Sequence, residues 1–115
     1  MEFTSALNRN SSFRRLYAKG KSAATPLLVV YERANGGAGN RLGLTVGTKV
    51  GKAVQRNRVR RRLKEIYRLH ERELQPGRDV VIVARVRARE AGYRELERDF
   101  LTACARLKLL RGNGS

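Results

Sequence analysis

KVGKAVQRNRVRRRLKEIYR, Lys49 to Arg68, is the segment on which the fold turns. Within it Val59, Leu63, Ile66 and Tyr67, with His70 just beyond, fall in one arc at about 3.6 residues per turn. That spacing predicts a long amphipathic helix, ended by Pro76-Gly77. Upstream, Arg41 to Val46 alternates Leu42, Leu44 and Val46 against Gly43 and Thr45, the pattern of a strand with one bulky and one bare face. The bare face could admit a ligand's backbone. Downstream, Val80-Val81-Ile82-Val83-Ala84 is apolar without interruption, as in a strand covered on both faces, and should be central. A helix that joins two strands of one sheet is a crossover, so these strands should run parallel.

Working outward, Ser11 or Ser12 could cap a short helix that places Phe13, Leu16 and Tyr17 on one face, with Gly20 as its stop. Pro26 forbids further helix, and Leu27 to Tyr31 reads as a strand. The glycine-rich stretch Asn35 to Asn40 reads as a hairpin connection to the strand at Arg41. Toward the other end, Tyr93, Leu96, Phe100, Ala103, Cys104 and Leu107 define a second amphipathic helix. The expected order is α-β-β-α-β-α in one α+β domain over residues 1–115, with a core at 7–109 and a frayed tail at 110–115.

Charge narrows the function. The chain holds 26 Lys and Arg against 10 Asp and Glu, a formal +16. Such self-repulsion calls for a polyanion to neutralise it. Half of the excess, +8, lies between Lys49 and Arg72. On the helical wheel Asn57, Arg58, Arg61, Lys64 and Arg68 lie opposite the apolar arc, giving a surface suited to phosphates. Arg56 falls on the apolar side, so either the helix begins after it or structure holds it. No apolar run approaches the roughly 20 residues of a spanning helix, and the polar stretch Met1 to Asn10 gives no secretory signal. Cys104 is the only cysteine, which excludes internal disulfides and suits a reducing cytoplasm.

Independent catalysis is not indicated. The acids do not cluster as a metal-dependent nuclease requires. His70 is the only histidine and sits on the apolar arc, where packing is its expected role, and Cys104 sits on a core stripe.

The segment Gly51-Lys52-Ala53-Val54-Gln55-Arg56-Asn57-Arg58-Val59-Arg60-Arg61 resembles the signature of ribonuclease P protein subunits, whose RNR motif is here Arg56-Asn57-Arg58. Further matches follow in order at Phe13 to Ser22, Arg41 to Val46 and Asp79 to Arg85. The resemblance implies an αβββαβα fold with an extra short strand near Ser22 to Thr25 and a left-handed crossover. It implies a subunit that binds the catalytic RNA of ribonuclease P and the 5′ leader of precursor tRNA, assisting endonucleolytic removal of that leader. Contacts to the catalytic RNA are expected from Lys49, Lys52, Arg56, Asn57, Arg58, Arg60, Arg61, Lys64 and Arg68. The leader cleft is expected at Phe13, Tyr17, Val29 and Tyr31, which share faces of the first helix and first long strand and could stack on unpaired bases or serve as core. Mg²⁺ would be held mainly by the RNA, with no cofactor on the protein and no further protein partner or membrane required. The alternative is a structural RNA-binding protein of ribosomal type.

Overall fold

The fold begins with an element that composition gives no sign of. Thr4–Ala6 forms a short strand, β1, in the stretch that reads only as polar. The computed structural model describes residues 1–111. After β1 come α1 (Asn10–Lys19), β2 (Lys21–Ala24), β3 (Leu28–Ala34), β4 (Asn40–Thr45), α2 (Ala53–His70), β5 (Arg78–Ala84) and α3 (Tyr93–Arg106). Short 3₁₀ turns occupy Thr48–Val50, Glu71–Glu73 and Val86–Glu90. The extra short strand is present as β2, and β1 is added ahead of the expected order.

The strands form one five-stranded sheet in the order β1-β4-β5-β3-β2. β5 is central and parallel to β4, as its apolar run requires. It is antiparallel to β3. This overturns the hairpin reading of Asn35 to Asn40: β3 and β4 do not pair with each other, because β5 occupies the slot between them. The run with the greatest need for cover on both faces takes the middle position, and Asn35 N–H donates to Gly77 O at 2.9 Å, tying the loop to the start of β5.

One face of the sheet carries the main core. Leu28 and Val30 of β3, Leu42 of β4, and Val80 and Ile82 of β5 meet Val59, Leu63, Ile66 and Tyr67 of α2 and Leu96, Phe100, Ala103 and Cys104 of α3. Burying each large apolar side chain contributes about 1.5–3 kcal/mol. Cys104 is wholly buried, and burial pushes its thiol up to about 12.

The basic helix starts earlier and ends sooner than its pattern suggests. It takes in Arg56 and stops at His70, where a 3₁₀ turn follows rather than helix up to Pro76. The first helix begins at Asn10, before the serines, and Arg9 supplies its cap through backbone alone. Gly20 ends it where a Cβ would sit 2.6 Å from Leu16 O and 2.9 Å from Glu32 O, so any side chain there would clash. The expected fraying from residue 110 is corrected at Leu110, which bridges to Leu74, and at Arg111, whose N–H donates to Glu73 O at 2.7 Å. Residues 112–115 lie outside the described residues.

Polar groups fasten β1. Glu71 is almost wholly buried and accepts the backbone N–H groups of Glu2 at 2.8 Å and Phe3 at 3.2 Å. Tyr67 Oη, inside the core, shares a hydrogen bond with Thr4 Oγ1 at 3.0 Å and accepts one from Asn40 Nδ2 at 3.3 Å. Hydrogen bonds to a charged acceptor contribute about 1.5–3 kcal/mol each, enough to hold a strand too short to hold itself.

His70 is corrected from core packing to an ionic bridge. Its Nδ1 lies 2.6 Å from Glu73 Oε2 and its Nε2 lies 2.8 Å from Glu97 Oε2. Partial burial alone would lower the imidazole's pKa, but the hydrogen bonds to Glu97 and Glu73 outweigh it and raise the value. The bridge's contribution to stability is therefore full below the unfolded value of about 6.5 and is lost as pH rises through the raised folded value. Melting of the wild type and His70→Gln across roughly pH 5.5 to 9 should show a wild-type advantage that shrinks as pH rises. A pH-independent difference would rule the bridge out.

Candidate nucleic-acid interface

α1 lies alone on the second face of the sheet. It runs from β4 toward β3, with Phe13 over Gly43 and Gly20 against Glu32, so it crosses the strands. Leu16 is buried with Leu7 and Val81, and Phe13, Tyr31 and Val83 pack against them as a small second core. Register places Gly43, Val81 and Tyr31 side by side in the row beneath the helix. On one side the next row of the same face is Thr45, Val83 and Val29.

That row and α1 form a trough. Tyr17 is 41% exposed and meets Tyr31 edge-on, with centroids 4.9 Å apart at 73°. Its hydroxyl hydrogen-bonds Thr45 Oγ1 at 3.2 Å, and Phe13 lies 6.3 Å away, tilted by 50°. Phe13, Tyr17 and Tyr31 thus converge, while Val29 stands one row over beside Val83. Phe13 and Tyr31 are half-buried in the second core, and Tyr17 is the most exposed of the three rings. Thr45 and Val83 also line the trough, and the alternation of β4 and β5 could have revealed them.

The bare face of β4 is open only in part. A Cβ on Gly43 would sit 2.6 Å from Phe13 Cζ, so the space at Gly43 is filled by that ring. Of Gly43 and Thr45, Thr45 is the one that remains uncovered for a ligand.

The basic residues of α2 divide by partner. Arg56 Nε donates to Gly51 O at 3.1 Å, so structure holds it within the helix. Arg60 donates to Asn57 Oδ1 at 2.9 Å, which orients both side chains at the helix surface. Arg68 forms a two-pronged pair with Glu65, at 2.9 and 2.5 Å, so its charge is answered locally. Those hydrogen bonds raise the Arg68 pKa and lower that of Glu65. Lys49, Lys52, Arg58, Arg61 and Lys64 are exposed and have no carboxylate partner among the described residues. Lys49 lies in the turn before α2, Lys52 is its N-cap, and Arg58, Arg61 and Lys64 follow on the outward face.

Two features escaped the pattern. Arg62 is structural, donating to Ala91 O at 2.9 Å and tying α2 to the turn before α3. The turn Val86–Glu90 adds Arg87 and Arg89 beside the start of α2, and the alternating arginines of Arg85-Val86-Arg87-Ala88-Arg89 were the available signal. Gly51 makes this junction possible. Its φ of 158° and ψ of −166° belong to a region essentially reserved for glycine, and a Cβ there would press on Gln55 and Arg89.

Among the described residues no three His, Cys, Asp or Glu side chains come together as a metal site. His70 with Glu73 and Glu97 comes nearest, and both ring nitrogens are already taken up by the carboxylates. No helix among these residues is long and apolar enough to cross a membrane.

A family model described as Ribonuclease P matches residues 1–108. The ribonuclease P protein component of Alkaliphilus metalliredigens is 40% identical over 110 residues, covering 96% of this chain and 99% of its own. That of Clostridioides difficile is 43% identical over 96 residues, covering 83% and 84%. The structure of the RNase P protein of Staphylococcus aureus superposes with a TM-score of 0.84 at 27% identity, over 95% of this chain and 98% of that chain. The RNase P protein of Thermotoga maritima gives 0.78 at 28% identity, over 85% and 93%.

The junction yields a prediction. Gly51→Ala should destabilise the fold by about 1–3 kcal/mol, because alanine must adopt a conformation reserved for glycine. Gly47→Ala, in open space with ordinary dihedrals, is the control and should leave the melt unchanged. Equal melts for both variants would show that Gly51 is under no such constraint.

Proposed function

The chain belongs to the ribonuclease P protein family, and from that premise we propose how its two surfaces share the work of an accessory subunit in this RNA-containing endoribonuclease. The outward face of α2, with Lys49 and Lys52 at its start, engages the catalytic RNA. The trough between α1 and the row Thr45, Val83 and Val29 receives the single-stranded 5′ leader of precursor tRNA. The observation that carries this reading is Tyr17, a ring 41% exposed yet fixed by Tyr31 and Thr45. A pre-positioned ring stacks on any base without demanding sequence, contributing about 1–3 kcal/mol per base.

The charged residues act by different means. Arg58, Arg61 and Lys64 neutralise phosphates and release counter-ions, which lets folded RNA and substrate approach at lower Mg²⁺. Arg56, Asn57 and Arg60 are held by their own hydrogen bonds, so they present fixed donors rather than mobile charge. Arg68 must loosen its hold on Glu65 to reach a phosphate, and its contribution is the smallest of the set.

Among the described residues no three imidazole, thiol or carboxylate side chains gather to hold a metal, and we assign the metal to the RNA. Mg²⁺ bound by the RNA would supply the activated water and stabilise the departing oxygen. The protein's part is to bind and orient the leader. The proposed compartment is the cytoplasm, with the catalytic RNA and precursor tRNA as partners.

Reconstitution with catalytic RNA tests this division. Tyr17→Ala should weaken affinity for precursor tRNA with a leader of several nucleotides by roughly 5- to 150-fold, the equivalent of one stacked base. Affinity for leaderless tRNA should not change, and the melt should move little because the ring is already partly in water. Equal loss for both substrates would place the leader elsewhere. Arg58→Ala with Arg61→Ala should act on the other ligand, reducing the slope of log affinity for the catalytic RNA against log salt by about 1.4 to 1.8. An unchanged slope would mean that this face is only solvated.

A further inference from the structure

α1 leaves open a strip on its other side as well. There the row is Arg41, Asp79 and Arg33, in register on β4, β5 and β3. With Ser12 and Arg15 from α1, and Asn35, they line a cavity of about 220 Å³. Three arginines meet one carboxylate at this place.

The hydrogen bonds decide what remains free. Asp79 accepts Arg41 Nε at 2.8 Å and Arg41 Nη2 at 2.6 Å, and Asn35 Nδ2 donates to its Oδ1 at 3.1 Å. Arg41 and Asp79 therefore answer each other. Arg33 stands opposite Asp79 in the strand register but makes no ion pair among the described residues, and neither does Arg15. The neighbouring carboxylate on β3, Glu32, points to the opposite face and takes Arg78. From Phe3 to Tyr31 the chain has no acidic residue at all, so α1 brings no counter-charge. Two unanswered guanidinium groups beside a recess repel each other until an anion joins them, and their planar forks match the oxygens of a phosphate.

We propose that this cavity is a second RNA site, in which Arg15 and Arg33, with the Ser12 hydroxyl, hold a phosphodiester group of a strand passing on the far side of α1 from the leader trough. The inference rests on the RNA-binding reading above. Asp79 and Asn35 are positioning residues here: they fix Arg41 as the wall of the cavity and have no direct contact with the phosphate. The phosphate belongs either to the catalytic RNA or to a distal leader nucleotide that has bent past α1.

Arg15→Gln with Arg33→Gln is compared with Arg15→Lys with Arg33→Lys in the reconstituted holoenzyme. One arm measures affinity for the catalytic RNA against salt, and the other measures affinity for precursor tRNAs of increasing leader length. Loss of two contacts should lower the salt slope by about 1.4 to 1.8 in one arm, with most of the slope kept by the lysine pair. A loss confined to the catalytic RNA supports the site and assigns it to that RNA. A loss that appears only with longer leaders supports it and assigns it to the leader. Unchanged affinity and slope in both arms, with wild-type binding intact, overturns the site while leaving the broader RNA-binding reading standing. Melts of both double variants should match the wild type, since neither arginine holds a described partner. A melting loss shared by both pairs would instead assign the arginines a structural role and also overturn the proposal.

Discussion

Everything on the functional side follows from the need of β5 to be dry on both faces. One face is met by two helices and a full core, and there Val80 and Ile82 are shielded from solvent completely or nearly so. On the other face α1 is the one helix among the described residues, and Leu16 covers Val81 with help from Leu7 and half-buried rings. A helix is roughly 10–12 Å across with its side chains. Successive residues on one face of a strand are about 6.6 Å apart, so a helix laid across the strands covers little more than one row. The rows to either side stay open because the described residues supply no second helix to close them. Their chemistry differs: one is two valines and a threonine, the other arginine and aspartate.

The main core and α2 were legible because their signal is periodic and local. Val59, Leu63, Ile66 and Tyr67 repeat at helical spacing, and all are buried. Val80 to Ala84 announced its own central place. β1 was not legible, since its three residues carry no alternation and depend on Glu71 and Tyr67, more than sixty positions away. The strand order at the Asn35 to Asn40 loop was misread for a related reason: a glycine-rich link looks the same whether its strands pair or admit a third between them. The tyrosine cluster was half legible, because strand and helix periodicity identified which faces they occupy but not that the faces meet.

Composition counts arginines as equal, and structure separates them. Along α2, Arg62 is held by Ala91 O, Arg56 by Gly51 O and Arg68 by Glu65, while Arg58 and Arg61 meet no carboxylate among the described residues. A wheel diagram cannot make that distinction, since it knows nothing of the carbonyls and carboxylates that come near only after folding. The same holds for His70, placed by periodicity among apolar residues and found between two glutamates. A residue at the border of an apolar arc takes its role from whatever the neighbouring helix offers.

Cys104 gives the molecule an internal clock. It is the sole thiol, it is wholly enclosed among α2, α3 and the sheet, and with its pKa pushed up to about 12 almost none of it is thiolate at neutral pH. A thiol reagent can reach it only when the core opens, so its labelling rate reports opening rather than surface chemistry. RNA that binds only the folded chain slows such opening in proportion to its occupancy. Labelling of this one sulfur can therefore follow assembly of the ribonucleoprotein from within the core, at a position that no RNA strand touches.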